Sequence, residues 1–143
     1  MTARALAGAL LSVLASACST DTLEPGELEL EVQEIDPPAG FAPSASITVS
    51  GSRVAVQGMV SGSLACTRLA AREVRTGTKL TFQVRAIANG QACPPVVRVL
   101  RFEGQMEDIE PGDYTFTVEH VTTEPLTVEL LTQPITVQQD PGE

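Results

Sequence analysis

Residues 109–121 read IEPGDYTFTVEHV, and the order of residue types in this stretch predicts a β-strand that begins just after a turn. Phe116 and Val118 alternate there with Thr115, Thr117 and Glu119. Apolar residues at every second position are typical of a strand with one buried and one wetted face, because successive side chains of a strand point to opposite faces. The Pro-Gly pair ahead of them supplies the turn.

The same alternation recurs along most of the chain, which predicts an all-β protein. It is found in residues 27–33, 46–50, 54–60, 80–86 and 126–130. Turn-forming pairs such as Gly51-Ser52, Asn89-Gly90 and Gln133-Pro134 separate these segments. Many short strands at intervals of roughly 8 to 15 residues are typical of a β-sandwich or a barrel.

Two segments fit the alternation less well. Residues 69–74 contain good helix formers and could form one helical turn, but the segment is short and precedes a hairpin-like turn, so a strand is favoured. In residues 96–102, apolar side chains occupy positions of both parities. This is expected of a central strand covered on both faces, or of a strand that carries a bulge.

The turn and tyrosine of the opening stretch resemble a motif of immunoglobulin-like and fibronectin type III domains. In those sandwiches a tyrosine at the start of a late strand folds its hydroxyl back onto the backbone a few residues upstream. Tyr114 is the only tyrosine and shares its parity with Phe116 and Val118, so its ring is expected to face inward. The resemblance implies an antiparallel immunoglobulin-like or fibronectin-III-like β-sandwich of about seven to eight strands, with Tyr114 as its structural tyrosine corner.

The N-terminus has the anatomy of a secretory signal peptide. Arg4 is followed by thirteen uncharged residues, from Ala5 to Ala17, and then by Cys18. This run is shorter than the roughly 18 apolar residues that a bilayer-spanning helix needs. We therefore expect residues 1–17 to be removed, residues 18–26 to form a flexible linker, residues 27–138 to form the β-sandwich domain, and residues 139–143 to form a disordered tail.

Small residues ahead of Cys18 resemble the end of a bacterial lipoprotein signal, in which the cysteine is lipidated and becomes the mature N-terminus. The resemblance implies that Cys18 carries a lipid, which would anchor the exported domain to a membrane with the domain facing the periplasm or the cell surface. Ala15-Ser16-Ala17 also fits ordinary signal peptidase cleavage, which would leave Cys18 as a free N-terminal thiol. Both alternatives describe an exported protein.

The remaining cysteines predict a cross-link. With Cys18 assigned to the lipid, Cys66 and Cys93 are left in an oxidising setting, and we expect them to form a disulfide. Metal binding is the alternative, but two cysteines without a neighbouring histidine do not complete a tetrahedral zinc site.

Taken whole, the mature chain resembles small bacterial lipoproteins with a single cysteine-bridged, immunoglobulin-like β-sandwich domain. The resemblance rests on the signal that ends in cysteine, on Cys66 and Cys93, and on the turn that leads to Tyr114. It covers most of the mature chain, from about Val54 to Val121, and implies a fold and a location without an activity.

Charged residues are sorted along the chain by sign, within a net charge of −9. Seven acidic residues lie in 21–36 and ten in 103–143, whereas the eight basic residues of the mature domain all lie in 53–101. One explanation is that acidic strands pair beside basic strands and form ion pairs. The other is a basic binding face, formed by Arg68, Arg72 and Arg85, for a protein, an anionic glycan or a lipid headgroup.

Catalytic chemistry finds little support in the sequence. His120 is the only histidine and has no motif around it, so we expect a strand-end residue half exposed to water. Phosphate-binding loops, nucleophile elbows and zinc-protease motifs are absent. The acidic turn 107–113 could gather oxygen atoms around calcium, but it lacks the spacing of an EF-hand loop. We therefore expect no catalytic residue, no metal and no cofactor.

These observations predict a membrane-tethered, exported binding or scaffolding module without catalytic activity. Nucleic acid is not an expected partner, because the chain is acidic overall and offers no aromatic stacking platform. Two alternatives remain open. One is an exported inhibitor of a protease or another hydrolase, which would present the disulfide-braced loop Ala88–Pro95. The other is a hydrolase of unrecognised type.

Overall fold

The computed structural model describes residues 25–124 and 126–142. Within these residues the chain forms strands and no helix, so no helical segment there is long and apolar enough to cross a membrane. In chain order the strands are β1 (Glu27–Leu28), β2 (Glu31–Ile35), β3 (Ser44–Ser50), β4 (Arg53–Ser61), β5 (Thr67–Thr76), β6 (Lys79–Ala88), β7 (Val99–Met106), β8 (Gly112–Val121) and β9 (Thr127–Val137).

Two sheets pack face to face as a sandwich. One has five strands in the order β1-β5-β6-β8-β9, and the other has four in the order β2-β7-β4-β3. The predicted all-β sandwich is confirmed, and the two-residue β1 brings the strands of the described chain to nine. Every strand pair is antiparallel except β6 with β8. These two run the same way because β7, which lies between them in sequence, crosses to the other sheet before the chain returns beside β6.

The acidic segment at the start of the domain changes sheets. The sequence predicts one strand over residues 27–33, but β1 pairs with β5 whereas β2 pairs with β7 of the opposite sheet. Leu30 lies in the crossing, close to Gly104 of β7, where an added Cβ atom would come within 2.6 Å of Leu30 Cδ2. Alternation cannot report this change of sheet, because both halves of the segment keep a period of two.

The inward faces of the two sheets form one hydrophobic core. Its centre comes from alternate residues of β4, β6, β7 and β8: Val54, Val56, Val60, Leu80, Phe82, Val84, Leu100, Phe102, Met106, Phe116 and Val118. Phe82 of one sheet reaches Gly104 of the other, where an added Cβ atom would meet its Cζ at 2.9 Å. The close approach of the sheets at this point therefore requires a residue without a side chain.

Both ambiguous segments contain strands. Residues 69–74 lie in β5, as favoured, but β7 begins at Val99 and not at residue 96. Val99 and Leu100 point to opposite faces and are both 0% exposed, and β7 pairs with β2 on one side and β4 on the other. Val96 and Val97 lie in the preceding loop, where they are 61% and 69% exposed.

The predicted turn at Gln133-Pro134 is wrong. Both residues lie inside β9, where Pro134 stands opposite Thr115. β9 is an edge strand, and proline is tolerated at an edge because its missing N–H need not serve a second neighbour. The register shifts between Val118 and Glu119, which adds a bulge to the β8–β9 pair.

Tyr114 has the hydrogen bond that the resemblance to immunoglobulin-like domains implies. Its hydroxyl donates to the backbone carbonyl of Glu110 at 2.8 Å, and its ring packs against the core from the start of β8. The neighbouring Ile109 is buried, and its N–H donates to the carbonyl of Ser52 at 2.9 Å. The turn before β8 is thus held by two hydrogen bonds, one to Tyr114 of β8 and one to Ser52 of the turn between β3 and β4.

Loops gather at two opposite ends of the sandwich. The end that we name the disulfide end includes residues 36–43, 62–66 and 89–98, and the opposite end includes residues 51–52, 77–78 and 107–111. At the opposite end the Asp140 carboxylate accepts hydrogen bonds from the N–H and the hydroxyl of Ser52, at 3.2 and 2.6 Å. The sequence assigns Asp140 to a disordered tail, yet these bonds hold its side chain to the fold.

Candidate functional site

The five-stranded sheet carries the predicted basic residues on its outer surface. Arg68 and Arg72 flank Ala70 on β5, and Arg85 of β6 stands directly opposite Ala70. Diagonal neighbours on adjacent strands are about 7–8 Å apart, which long side chains can bridge. Ala70 is 1% exposed although it faces outward, so the side chains around it cover it. We name Arg68, Arg72 and Arg85 the arginine face.

One carboxylate is built into the arginine face. Glu27 of β1 stands opposite Arg72, and its Oε2 atom lies 3.9 Å from Nη1 of Arg68. The Glu27 side chain is 1% exposed, whereas that of Arg68 is 40% exposed. Glu27 could not be recognised from the sequence as a member of the arginine face, because it reaches the face only through the pairing of β1 with β5. Three arginines and one glutamate leave the face positively charged.

Arg72 and Arg85 form no ion pair with any residue of the described chain. Glu119 of β8, a diagonal neighbour of Arg85, accepts a hydrogen bond from Gln83 at 2.6 Å instead. Glu129 of β9 stands opposite Glu119. The outer surface is therefore divided into a basic half on β5 and β6 and an acidic half on β8 and β9, and an anion could approach Arg72 and Arg85 without displacing a bound carboxylate.

Elsewhere an acidic and a basic segment form ion pairs, as we expected if acidic strands lie beside basic strands. Nε of Arg98 lies 2.9 Å from Oε1 of Glu34, and its Nη1 contacts Asp36. Arg75 instead pairs within its own strand, where its Nη2 lies 3.0 Å from Oε2 of Glu73. Ion pairing between the acidic segment 21–36 and the basic segment thus involves Arg68 and Arg98, and it leaves Arg72 and Arg85 without an ion pair among the described residues.

Glu34 fastens the disulfide end of the sandwich. Its carboxylate accepts hydrogen bonds from the hydroxyl of Ser63 at 2.8 Å, from the N–H of Leu64 at 2.7 Å and from Arg98. These bonds, with that of Ser63 as the largest contribution, lower the pKa of Glu34 below its usual value. Two loops and β2 are joined through this one side chain.

The predicted disulfide between Cys66 and Cys93 is present at this end. It joins the residue before β5 to the loop between β6 and β7, and the N–H of Asn89 also donates to the carbonyl of Cys66 at 3.0 Å. The loop Ala88–Pro95 of the inhibitor hypothesis is therefore braced at its base. The two valines that follow it are the exposed pair described above.

His120 is buried, and the prediction that it is half exposed is wrong. It is 7% exposed and lies on the inward side of β8, with Val84 and Val128 opposite it on the two neighbouring strands. Its Nε2 atom has no hydrogen-bond partner among the residues that the structure describes. Desolvation lowers the pKa of His120 below its usual value of 6.5, so the site favours the neutral imidazole.

Stability is expected to fall between pH 7 and pH 5 because of His120. The unfolded chain binds a proton near pH 6.5, whereas the folded chain resists protonation until its lowered pKa is reached. The contribution is therefore complete above about pH 6.5 and is lost at lower pH, with a slope of at most about 1.4 kcal/mol per pH unit. Thermal unfolding should show this loss, and His120→Leu should remove it.

The carboxylates of Glu34 and Asp140 do not contribute to the loss of stability expected between pH 7 and pH 5. Hydrogen bonds lower the pKa of Glu34 below 4.5 and that of Asp140 below 3.8, so their stabilising contributions are lost only at more acidic pH. The prediction would be contradicted if the thermal unfolding midpoint of the wild type changed no more between pH 7 and pH 5 than that of His120→Leu.

The acidic turn 107–113 binds an arginine in the structure. Arg75 donates to the backbone carbonyls of Glu107 at 2.6 Å and of Asp108 at 2.9 Å. In the part of the chain that the structure describes, no three His, Cys, Asp or Glu side chains are grouped so that they could hold a metal ion.

Cys18 and the predicted signal segment lie outside the described residues. Comparison of the chain with protein-family models, with curated proteins and with solved structures finds no match.

Proposed function

We propose that this chain is an exported, membrane-tethered binding module without catalytic activity, which recognises an anionic partner through the arginine face. The observation that carries the proposal is the convergence of Arg68, Arg72 and Arg85 around Ala70, with Arg72 and Arg85 free of ion pairs within the described residues. In the sequence Arg68 and Arg72 lie on one segment and Arg85 on another, and the pairing of β5 with β6 brings the three together.

Guanidinium chemistry supports this assignment. Each guanidinium offers several N–H donors in a planar fork that matches carboxylate, sulfate and phosphate groups, and its charge persists at all physiological pH values. The Glu27 carboxylate lies 3.9 Å from Arg68, while Arg72 and Arg85 form no ion pair among the described residues and keep their donors for a ligand. A surface with two unpaired arginines is suited to repeated anionic groups, such as those of an acidic polysaccharide.

Export and tethering are supported by the sequence of residues 1–18 and by the Cys66–Cys93 disulfide. Disulfides persist in oxidising compartments and are rare in reducing ones. A lipid on Cys18 would leave the domain on a linker of only a few residues, so the binding module would act close to the membrane surface.

Two variants with the same net charge test the proposal. Arg72→Glu with Arg85→Glu reverses two charges on the arginine face, and Arg53→Glu with Arg101→Glu reverses two exposed charges on the four-stranded sheet. We expect the wild type to bind immobilised heparin, a dense anionic glycan, with a salt-sensitive affinity. The first variant should lose retention and the second should keep it, with circular dichroism unchanged in both, because exposed ion pairs contribute only about 0–1 kcal/mol to stability.

Equal losses in the two variants would show a response to net charge alone, and a wild type that is not retained would contradict the anionic partner. Polyglutamate on the same support separates an acidic polypeptide from a glycan as the preferred ligand.

A second candidate function, inhibition of an exported hydrolase, is favoured by the exposure of Val96 and Val97 beside the braced loop. A loop held by a disulfide loses little conformational entropy when it enters a cleft. This candidate predicts that Val96→Ser with Val97→Ser abolishes inhibition of a susceptible hydrolase, whereas the arginine variants inhibit as the wild type does.

A further inference from the structure

β3 is an edge strand whose own sequence lacks the protection that exposed edges usually have, and β9 of the other sheet packs near it without pairing with it in the described chain. It spans seven residues, SASITVS at 44–50, and in the described chain it pairs only with β4. A free edge presents unpaired N–H and C=O groups, and natural sheets guard such edges with charged residues, proline, bulges or very short strands. β3 contains no charged residue and no proline, and its register with β4 is regular.

The other edges of the two sheets are protected. β1 is two residues long, β2 carries Glu31 and Glu34, and β9 carries Glu129, Pro134 and the register shift. Pairing of β2 or β9 with its own copy would bring carboxylates together in a chain whose net charge is already −9. β3 is the edge of the described sandwich at which two copies could meet without a like-charge contact.

The core is also incompletely covered at this edge. Ala45, Ile47 and Val49 of β3 face inward but are only half-buried, whereas Val54 and Val56 on the adjacent β4 are fully buried. A strand added beside β3 would place its own inward side chains against these three residues and continue the inner face of the sheet.

We propose that β3 pairs with β3 of a second copy of this chain, antiparallel and centred on Ile47. In this register Ile47 meets its own counterpart, Ala45 meets Val49 of the second copy, and Ser46 meets Thr48 of the second copy. Apolar side chains then meet on the inner face and hydroxyl side chains on the outer face. A slip of one residue would mix the two faces, so the pairing is self-complementary and excludes registers shifted by an odd number of residues.

The two four-stranded sheets would become one continuous eight-stranded sheet across a twofold axis. The arginine faces lie on the outer surfaces of the five-stranded sheets and remain uncovered, so the pairing does not depend on the proposed ligand. A dimer would present two arginine faces, which raises the apparent affinity for a repetitive anionic partner.

Charge variants at positions 46 and 48 test the register, because these two residues stand opposite each other across the proposed interface. Ser46→Lys with Thr48→Lys places lysines against lysines, whereas Ser46→Lys with Thr48→Glu places each lysine against a glutamate of the second copy. Gln33→Lys with Gln105→Lys adds two exposed charges to the outer surface of the same sheet, on strands β2 and β7, which do not adjoin β3.

Sedimentation equilibrium of the purified chain, in detergent matched to the density of the solvent wherever a lipid anchor is retained, measures the outcome. The wild type and the Gln33→Lys/Gln105→Lys control should approach twice the monomer mass as protein concentration rises. Ser46→Lys/Thr48→Lys should stay monomeric, and Ser46→Lys/Thr48→Glu should recover the dimer. Circular dichroism establishes that each variant is folded.

A wild type that remains monomeric at every concentration would overturn the proposal, and so would a dimer that survives two lysines at positions 46 and 48. Failure of the lysine–glutamate variant to dimerise, with its fold intact, would exclude the register centred on Ile47. Each of these results leaves the heparin experiment unaffected, so the two proposals can fail separately.

Discussion

Phe82→Ala is expected to lower the free energy of unfolding by about 3–5 kcal/mol, a large share of the roughly 5–15 kcal/mol that stabilises a typical domain. Phe82 is 0% exposed, and its ring extends from the five-stranded sheet to Gly104 of the other sheet. The chain has four Phe and no Trp, so few other side chains could fill the gap that the ring leaves. Urea denaturation followed by circular dichroism measures the change.

Phe41→Ala is the matched control, because Phe41 is only half-buried and lies in the loop between β2 and β3. It should cost less than half as much as Phe82→Ala. Gly104→Ala adds a sharper test of the contact itself: its methyl group would clash with the Phe82 ring, so part of its cost should disappear in the Phe82→Ala background. Equal costs in both backgrounds would contradict the proposed contact between the sheets.

Reduction of the Cys66–Cys93 disulfide is expected to lower the free energy of unfolding by about 3.5 kcal/mol. The sequence separation of 27 residues sets this magnitude, because the cross-link restricts the unfolded chain in proportion to the logarithm of the loop it closes. Cys93 is exposed, so a reductant can reach the bond although Cys66 is buried. Thermal unfolding with and without reductant measures the loss.

The control for reduction is Cys66→Ala with Cys93→Ala, whose stability should be low in both conditions and should not respond to the reductant. A wild-type midpoint unchanged by reduction, with both thiols shown to be free by mass spectrometry, would contradict the stabilising role of the cross-link.

Local patterns were sufficient for the strands and for the tyrosine corner. Alternation depends only on a period of two within a segment, which is why β4, β6 and β8 could be recognised one at a time. Tyr114 reaches a carbonyl four residues upstream, a contact contained within its own turn. The disulfide followed from counting cysteines in a chain expected to be exported, because only two were left once Cys18 was assigned to a lipid.

The mistaken predictions share one cause, which is that burial and pairing depend on segments far apart in sequence. His120 lies at the end of β8 but is covered by the sandwich, so its position in the strand was a poor guide to its exposure. Pro134 was interpreted as part of a turn because the sequence cannot show that β9 lies at an edge. The change of sheet between β1 and β2 leaves the alternation intact and was therefore invisible.

The candidate site shows the same division between sequence and tertiary structure. The order of residues along the chain places the basic residues of the domain in its middle and all acidic residues but Glu73 towards its two ends. Only the pairing of β5 with β6 decided that Arg85 meets Arg68 and Arg72 around Ala70, and only the pairing of β1 with β5 placed Glu27 among them. The physical reason is that alternation specifies which side of a strand faces the core, whereas the hydrogen-bonded register between distant strands specifies which outward side chains become neighbours.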